Sequence, residues 1–389
     1  MIPDLPPGQP SGQSSEAQFC DQATADPNRP GGERTFEPEP PEPVAVALSG
    51  GVDSMVAAFL LKERGYRLLA LHMILAPDAP PEPGDQVRRL AERLGLQLHG
   101  VDLRLPFQKR VIRPFLDAYP QGKTPNPCVI CNPRIKFSLL RERAEQLGPR
   151  WLATGHYARL RHSDTDCRLH LLRARDRNKD QSYFLFGLNQ AQLGRALFPL
   201  GDLRKSQVRE IAAAAGLGGY HRPESQEICF IPDNDYRRFL EQHLGEALPP
   251  SGPVVDMDGR QVGEHLGIHR FTIGQRRGLG IPSSAAYYVV GLDPETNTVR
   301  VGYREDLRGR ELLVSETNWI SSTPPRAPLE ALVRVRYRHR EAPAFLEPSP
   351  QGVLVRFEQP QMAITPGQAA VFYRGDEVVG GGIIQQVLS

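Results

Sequence analysis

The chain has 389 residues, 40% of them hydrophobic and 24% charged, with a formal net charge of +2 at pH 7. That length predicts two or three domains, the composition is that of a soluble globular protein, and any nucleic-acid binding must come from local basic patches rather than overall charge. Met1–Gly8 has neither a basic nor an apolar region of a secretory signal, no apolar run reaches membrane-spanning length, and five cysteines are too thinly spread for a disulfide framework. A reducing cytoplasm is the expected compartment, with no membrane partner.

Residues 1–43, rich in Pro, Gly, Ser, Gln and acidic residues without apolar periodicity, read as a disordered tail; Cys20 falls there and is discounted as a site residue. From Val44 the pattern alternates strand and helix. Val44–Leu48 reads as a buried strand, Met55–Arg64 as a helix stopped by Gly65, and Arg67–Ile74 as a second strand. Gln86–Leu94 is a helix ended by Gly95, Leu96–Leu103 a strand, Ile135–Leu147 a helix and Trp151–Thr154 a strand. The expectation is a parallel sheet covered on both faces, with ligand at the C-terminal strand ends. Leu169–Arg173 adds a short strand, Cys167 a hairpin-loop position, and Lys205–Ala215 a helix closed by Gly216. Beyond about residue 222, Gly- and Pro-punctuated short strands take over. A helix at Tyr236–Leu244 and a Gly-rich β segment at Val254–Ile281 precede alternating runs at Tyr287–Leu292, Thr298–Val301, Leu332–Tyr337, Val353–Phe357 and Ala369–Tyr373. The fold class is therefore α/β: a parallel-sheet nucleotide-binding domain (44–222), a small mixed central domain (223–285) and a C-terminal β-barrel (286–389).

Between the first strand and helix lies Ala47-Leu48-Ser49-Gly50-Gly51-Val52-Asp53-Ser54. A strand, a Ser/Gly turn and a helix N-terminus make an anion site, because glycines admit close backbone approach and free N–H groups point outward. Asp53 adds negative charge beside that anion, which makes sense if it helps hold a Mg²⁺ on pyrophosphate. A Walker P-loop is excluded: no Lys follows these glycines, and Gly122-Lys123-Thr124 has Asp117 where that motif needs its first Gly. Met73, at the end of the second strand, sits where an adenine contact would. In Pro125-Asn126-Pro127-Cys128-Val129-Ile130-Cys131-Asn132 a C-x-x-C precedes a helix, so both thiols are candidate thiolates; Cys229 stands alone in Ile228-Cys229-Phe230. Taken singly, the C-x-x-C suits half a zinc site, a redox pair or a structural role, and Cys229 a small buried hydrophobe. Arg334, Arg336, Arg338 and Arg340 alternate, so a strand would set all four on one face toward a phosphate backbone. Arg175, Arg177 and Lys179 form a second basic group, and Arg270, Arg276 and Arg277 a third.

Ser49-Gly50-Gly51-Val52-Asp53-Ser54 resembles the PP-loop of ATP pyrophosphatases that activate a carbonyl oxygen by adenylation. With Thr124-Pro125-Asn126-Pro127, Cys131-Asn132, Thr154-Gly155-His156-Tyr157-Ala158-Arg159, Lys179-Asp180-Gln181-Ser182-Tyr183, Ile228-Cys229-Phe230, Phe271-Thr272-Ile273-Gly274-Gln275-Arg276 and Thr365-Pro366-Gly367-Gln368, the chain from Val44 onward is similar to the bacterial tRNA-specific 2-thiouridylases. The resemblance implies ATP-dependent replacement of the 2-oxygen of the wobble uridine of tRNA by sulfur. It implies an ATP site over Ala47–Ser54, Met73 and Gly155. It implies base or tRNA contacts at Asn126, Pro127, Cys128, His156, Lys179, Asp180, Gln181, Arg336, Tyr337 and Gln368. Cys131 would be the nucleophile-side cysteine and Cys229 the persulfide carrier, the two closing a disulfide as sulfur leaves. Where the best-known members carry Asp, this chain has Cys128. That departure opens a second route, a [4Fe–4S] cluster on Cys128, Cys131 and Cys229 whose open iron binds the transferred sulfide. The sulfur donor would be a cysteine desulfurase, a relay protein or sulfide. Rival readings are a 4-thiouridine or 2-thiocytidine synthase, an amide-forming synthetase, and a non-catalytic RNA-binding module with a structural metal.

Overall fold

The computed structural model describes residues 37–76, 79–217, 228–231, 234–282, 285–320 and 324–389. Most of the expected tail, with Cys20, and Ser225–Glu227 of the third cysteine stretch lie outside the described residues. The first domain is built on five parallel strands: β1 (Pro43–Ala47), β2 (Arg67–Ile74), β3 (Gln97–Asp102), β4 (Trp151–Ala153) and, after the hairpin β5 (Ala158–Ser163) and β6 (Arg168–Arg173), the short β7 (Ala196–Leu197). Their order is β3-β2-β1-β4-β7. The chain runs outward from β1 through α1 (Val52–Glu63), β2, α2 (Asp85–Leu94) and β3, then returns to place β4 on the other side of β1. The loop after β1 therefore lies where the strand order reverses, the crevice in which open α/β sheets bind ligands. Val44, Ala45 and Val46 are fully buried, as a strand covered on both faces requires. Gly95 ends α2 in the left-handed conformation at φ 63°.

Two helical stretches differ from expectation. Arg104–Gln121, not anticipated, is one long run in which Gln108–Ile112 winds with the wider π turn; it buries Phe107 and Phe115. The helix expected from Ile135 starts at Pro127 and continues to Gln146, again with a π stretch, Asn132–Leu140. Such wide turns recur at functional sites.

The central domain carries a four-stranded sheet of order β10-β11-β8-β9, from β8 (Gly252–Val255), β9 (Gln261–His265), β10 (Tyr288–Asp293) and β11 (Thr298–Gly302), while the helix Tyr236–Leu244 that precedes it packs Phe239 against Phe115 of the first domain. The C-terminal strands are β12 (Arg308–Trp319), β13 (Leu329–Arg334), β14 (Ala342–Ser349), β15 (Gly352–Met362), β16 (Ala369–Arg374) and β17 (Glu377–Val387). Pairing of β12 with β17 closes them into a six-stranded barrel. β12, β14 and β17 were not anticipated. β17 carries Gly380-Gly381-Gly382, which lowers strand propensity, yet a Cβ at Gly380 or Gly382 would stand 2.5 Å from the Asn318 or Ser315 carbonyl oxygen of β12. These glycines let β12 and β17 approach closely enough to close the barrel. The barrel also reaches back: Glu377 and Val378 of β17 pair with Leu172 and Leu171 of β6, so the hairpin of the first domain extends the barrel sheet.

One correction concerns the arginine row. The strand expected over Leu332–Tyr337 stops at Arg334, and Val335–His339 is bent and turned. Arg334 points inward, 12% exposed, donating to Glu341 at 3.0 Å and lying 3.7 Å from Asp180. Alternation cannot put four arginines on one face where the strand has ended; Arg338 and Arg340 are exposed and Arg336 is half-buried.

Candidate active site

The loop after β1 is held from within. Gly50 adopts φ +81°, Ser54 Oγ donates to the Gly51 carbonyl at 2.9 Å, and Ser49 Oγ lies 3.2 Å from Ser54 Oγ. Gly51 is the N-cap of α1 and supplies no side-chain cap, so the first-turn N–H groups keep their anion-binding capacity. Gly155 follows β4 across the crevice. A Cβ there would sit 2.7 Å from Ser54 N and 2.8 Å from the Asp53 carbonyl carbon, so only glycine permits this approach. Met73 is half-buried at the C-terminal end of β2, on the same sheet edge.

Asp53 is not open. Its carboxylate accepts from Lys205 Nζ at 2.7 and 2.8 Å and from the Tyr157 hydroxyl at 2.7 Å. Lys205 opens the helix Lys205–Ala214 and is buried, and its own N–H is fixed by Asp176 at 2.9 Å. The lysine that the loop lacks in sequence is thus supplied from a helix 152 residues away. Sequence reasoning missed it, although there was a signal: a cation as the first residue of a helix opposes the macrodipole and needs a reason.

The cysteine side lies on the helix that starts at Pro127. Asn126 caps that helix, its Oδ1 accepting from Cys128 N at 3.1 Å. Asn132 is buried and donates to the Phe184 carbonyl at 3.0 Å. Cys128, Cys131 and Cys229 are all free thiols. Cys229 is exposed and is followed by Phe230, which meets Phe107, Phe115 and Phe239 with ring centroids 5.4–5.5 Å apart. The expectation of helix-lowered thiols is corrected: desolvation pushes Cys128 up to about 12 and Cys131 up to about 11. Cys229 moves in the same direction although the residue reaches solvent. Burial outweighs the helix end here. The three sulfurs act on one another electrostatically, and Lys136 pulls all three back down. Among the described residues, no three His, Cys, Asp or Glu side chains are gathered so as to hold a metal ion.

The remaining predicted residues divide. Asp180 is 1% exposed and accepts from Ala174 N, Ser182 N and Ser182 Oγ, an interior anchor rather than a surface contact. Gln181 accepts from Tyr157 N at 2.9 Å. Gln368 is buried and donates to the Thr124 carbonyl at 2.7 Å, while Thr124 N donates to Pro366 O and Thr124 Oγ1 lies 3.3 Å from Thr272 Oγ1. Three motifs, one from each domain, thus converge on Thr124. Arg336 donates to Thr365 Oγ1 at 2.7 Å, and Tyr337 packs 4.4 Å from the Phe184 ring. Lys179 is half-buried, and Arg276 and Arg277 are exposed. His156 lies between Phe137 and Phe198, with Nδ1 2.8 Å from Thr154 Oγ1 and Nε2 3.5 Å from Lys136 Nζ.

Three known domain families match successive stretches of the chain. Residues 42–233 match the tRNA methyl transferase HUP domain, 237–303 the tRNA methyl transferase PRC-barrel domain, and 309–384 the aminomethyltransferase β-barrel domain. The chain is 45% identical over 358 residues to the tRNA-specific 2-thiouridylase MnmA of Desulforamulus reducens, spanning 89% of this chain and 97% of that protein. It is 45% identical over 355 residues to the protein of the same name from Heliobacterium modesticaldum, spanning 88% and 92%. With that of Geobacter metallireducens it shares 45% identity over 361 residues, spanning 89% and 97%.

Proposed function

The chain belongs to the tRNA-specific 2-thiouridylase family, and from that premise we propose that it thiolates the C2 position of the wobble uridine of tRNA, using ATP for activation and a cysteine-bound persulfide as sulfur source. One observation carries the reading: the loop that can cradle a polyphosphate and the helix that bears Cys128 and Cys131 meet at one sheet edge, joined through Gly155 and His156. ATP lies over Ala47–Ser54 with Gly155 and Met73 beside it. The uridine O2 attacks the α-phosphorus, the bond to pyrophosphate breaks, and N3 gives up its proton. Loop N–H groups and Lys205 stabilise the departing pyrophosphate. Mg²⁺ would neutralise the phosphates; Asp53 is the loop's carboxylate for it, in keeping with an ion that keeps most of its waters, once Lys205 turns to the phosphates.

The terminal sulfur of a Cys229 persulfide then attacks C2 and expels AMP, leaving uridine C2 linked through two sulfurs to Cys229. The Cys131 thiolate attacks the Cys229 sulfur, a Cys131–Cys229 disulfide forms, and the electron pair leaves with the C2 sulfur, which becomes the thione as N3 regains a proton. An external dithiol reduces the disulfide before the next turnover. Cys128, Cys131 and Cys229 as arranged do not fit a [4Fe–4S] cluster, since among the described residues no three ligands are gathered so as to hold a metal. No step is assigned to such a cluster. tRNA would lie against exposed Arg175, Arg276, Arg277, Arg338 and Arg340, with Arg336, Tyr337, Lys179 and His156 lining its path. No helix among the described residues is long and apolar enough to cross a membrane, and a cytoplasmic site of action suits free thiols. A cysteine desulfurase or relay protein would load Cys229.

The test is incubation with ATP, Mg²⁺, unmodified tRNA and inorganic polysulfide, followed by nucleoside analysis and assay of AMP. Thiolation should require Cys131 and Cys229 and should survive Cys128→Ala. Iron and acid-labile sulfide near cluster stoichiometry, lost together with activity in Cys128→Ala, would instead favour the cluster.

A further inference from the structure

Lys136 lies five residues beyond Cys131 on the π-wound stretch, where bonds close over five residues and bring such a pair onto neighbouring positions of the same face. Its ammonium is half-buried, and among the described residues no carboxylate pairs with it. Its hydrogen-bond partner among the described residues is His156 Nε2 at 3.5 Å. An ammonium only donates, so Nε2 must be the bare nitrogen of a neutral ring, and Nδ1–H then donates to Thr154 Oγ1 at 2.8 Å. Desolvation and Lys136 both hold His156 in that neutral form. Phe137 and Phe198 fix the ring plane. Thr154 is 3% exposed at the end of β4, next to Gly155, so the relay Thr154–His156–Lys136 is anchored in the sheet beside the loop that binds nucleotide. A cation held this way, with no counter-charge among the described residues, is a half-pair awaiting an anion.

We propose that Lys136 is a positioning residue for the sulfur half-reaction, its ammonium held by the Thr154–His156 pair so as to stabilise the anionic sulfur of Cys131 and of the Cys229 persulfide. The proposal rests on the cysteine-relay reading above. It gives these desolvated thiols a route to nucleophilic form, since among the described residues Lys136 is the positive group that acts on all three sulfurs, in the direction that favours their anions. Adenylation, which is served by the loop and Lys205, does not call on it.

The test compares Lys136→Met and Lys136→Arg in the full chain. Two readouts are used: site-resolved alkylation of Cys131 by iodoacetamide without ATP or tRNA, and tRNA-dependent exchange of labelled pyrophosphate into ATP. Lys136→Met should slow Cys131 alkylation at neutral pH about tenfold, the effect of one pK unit on a thiolate population. Single-turnover thiolation should slow at least as much, while exchange stays within about twofold, against the 1–3-unit pull of a nearby charge. Lys136→Arg should restore most of both sulfur readouts. Because alkylation needs neither ATP nor tRNA, it tests Lys136 even if the persulfide route itself fails. Should Lys136→Met not fold, Thr154→Val, which removes the far anchor, should show the same selective loss in milder form. Unchanged alkylation, or exchange falling in step with thiolation, would overturn the proposal; the second result would assign Lys136 to the adenylate phosphate instead.

Discussion

Two sets of opposed charges in this molecule differ in what they leave open. At the sheet edge the Asp53 carboxylate meets Lys205, with Asp53 32% exposed and the first-turn helix N–H groups beside it. At the junction of the first domain with the barrel, Arg173 and Arg334 share Glu341, Arg334 also approaches Asp180, and both guanidinium groups lie over the Tyr373 ring, at 3.9 and 5.4 Å. The second set is balanced, two cations against two anions, and Asp180 within it is 1% exposed. An incoming polyphosphate can draw Lys205 from Asp53, because the new anion replaces the old one. Nothing comparable can enter the junction. The first set is a site and the second a lock, a difference set by solvent access and charge balance rather than by residue type.

The sharpest test is Lys205→Met. Pyrophosphate exchange should fall by about 100-fold or more, the scale of losing a donor aimed at developing charge, while the melting temperature moves little. Retained exchange with a lowered melting temperature would make this pair a second lock. Glu341→Gln should do the reverse. It leaves buried Arg173 without its carboxylate and should cost about 3 kcal/mol in denaturant unfolding, the low end for a broken buried pair because Glu341 is partly exposed. Exchange per folded molecule should be unchanged.

Acid offers a gentler probe. Burial alone would raise the Glu341 carboxyl, but hydrogen bonds from Arg173 and Arg334 bring it down from 4.5 to about 2. A carboxyl depressed on folding contributes stability that is present above its unfolded value and lost as pH falls through its folded one, so the junction should weaken between about pH 4.5 and 2. Asp180, which burial pushes up, works in the opposite sense and softens the slope. Denaturant midpoints measured across that window, with Glu341→Gln as the control that lacks only this carboxyl, check the assignment by the difference between the two profiles. The smallest effect is expected at Arg336, half-buried and tied to Thr365. If its guanidinium still meets a phosphate, Arg336→Ala should weaken tRNA binding severalfold and reduce the salt slope by about one. An unchanged slope with lower thermal stability would place Arg336 with the lock.

Much of the catalytic half was legible in the chain because it depends on local rules. Val44–Leu48 followed by Ser49–Ser54 and a helix is a strand, turn and helix whose periodicity and glycines are read without neighbours, and the observed β1 and α1 follow it within three residues. The Tyr236–Leu244 helix appears with the expected ends, capped by Asp235. What only the tertiary structure decided were matters of long-range company. Gly380–Gly382 reads as a strand breaker until β12 is seen to need the space. The arginine alternation from Arg334 reads as a phosphate face until the strand ends there and Arg334 turns to Asp180 and Glu341. Cys128 and Cys131 read as helix-end thiolates until burial outweighs the helix. Lys205 reads as an ordinary first-turn residue until Asp53, 152 positions earlier, is found in its grasp. Backbone propensity is encoded residue by residue, whereas the charge and solvation of a side chain depend on whatever distant chain folds against it.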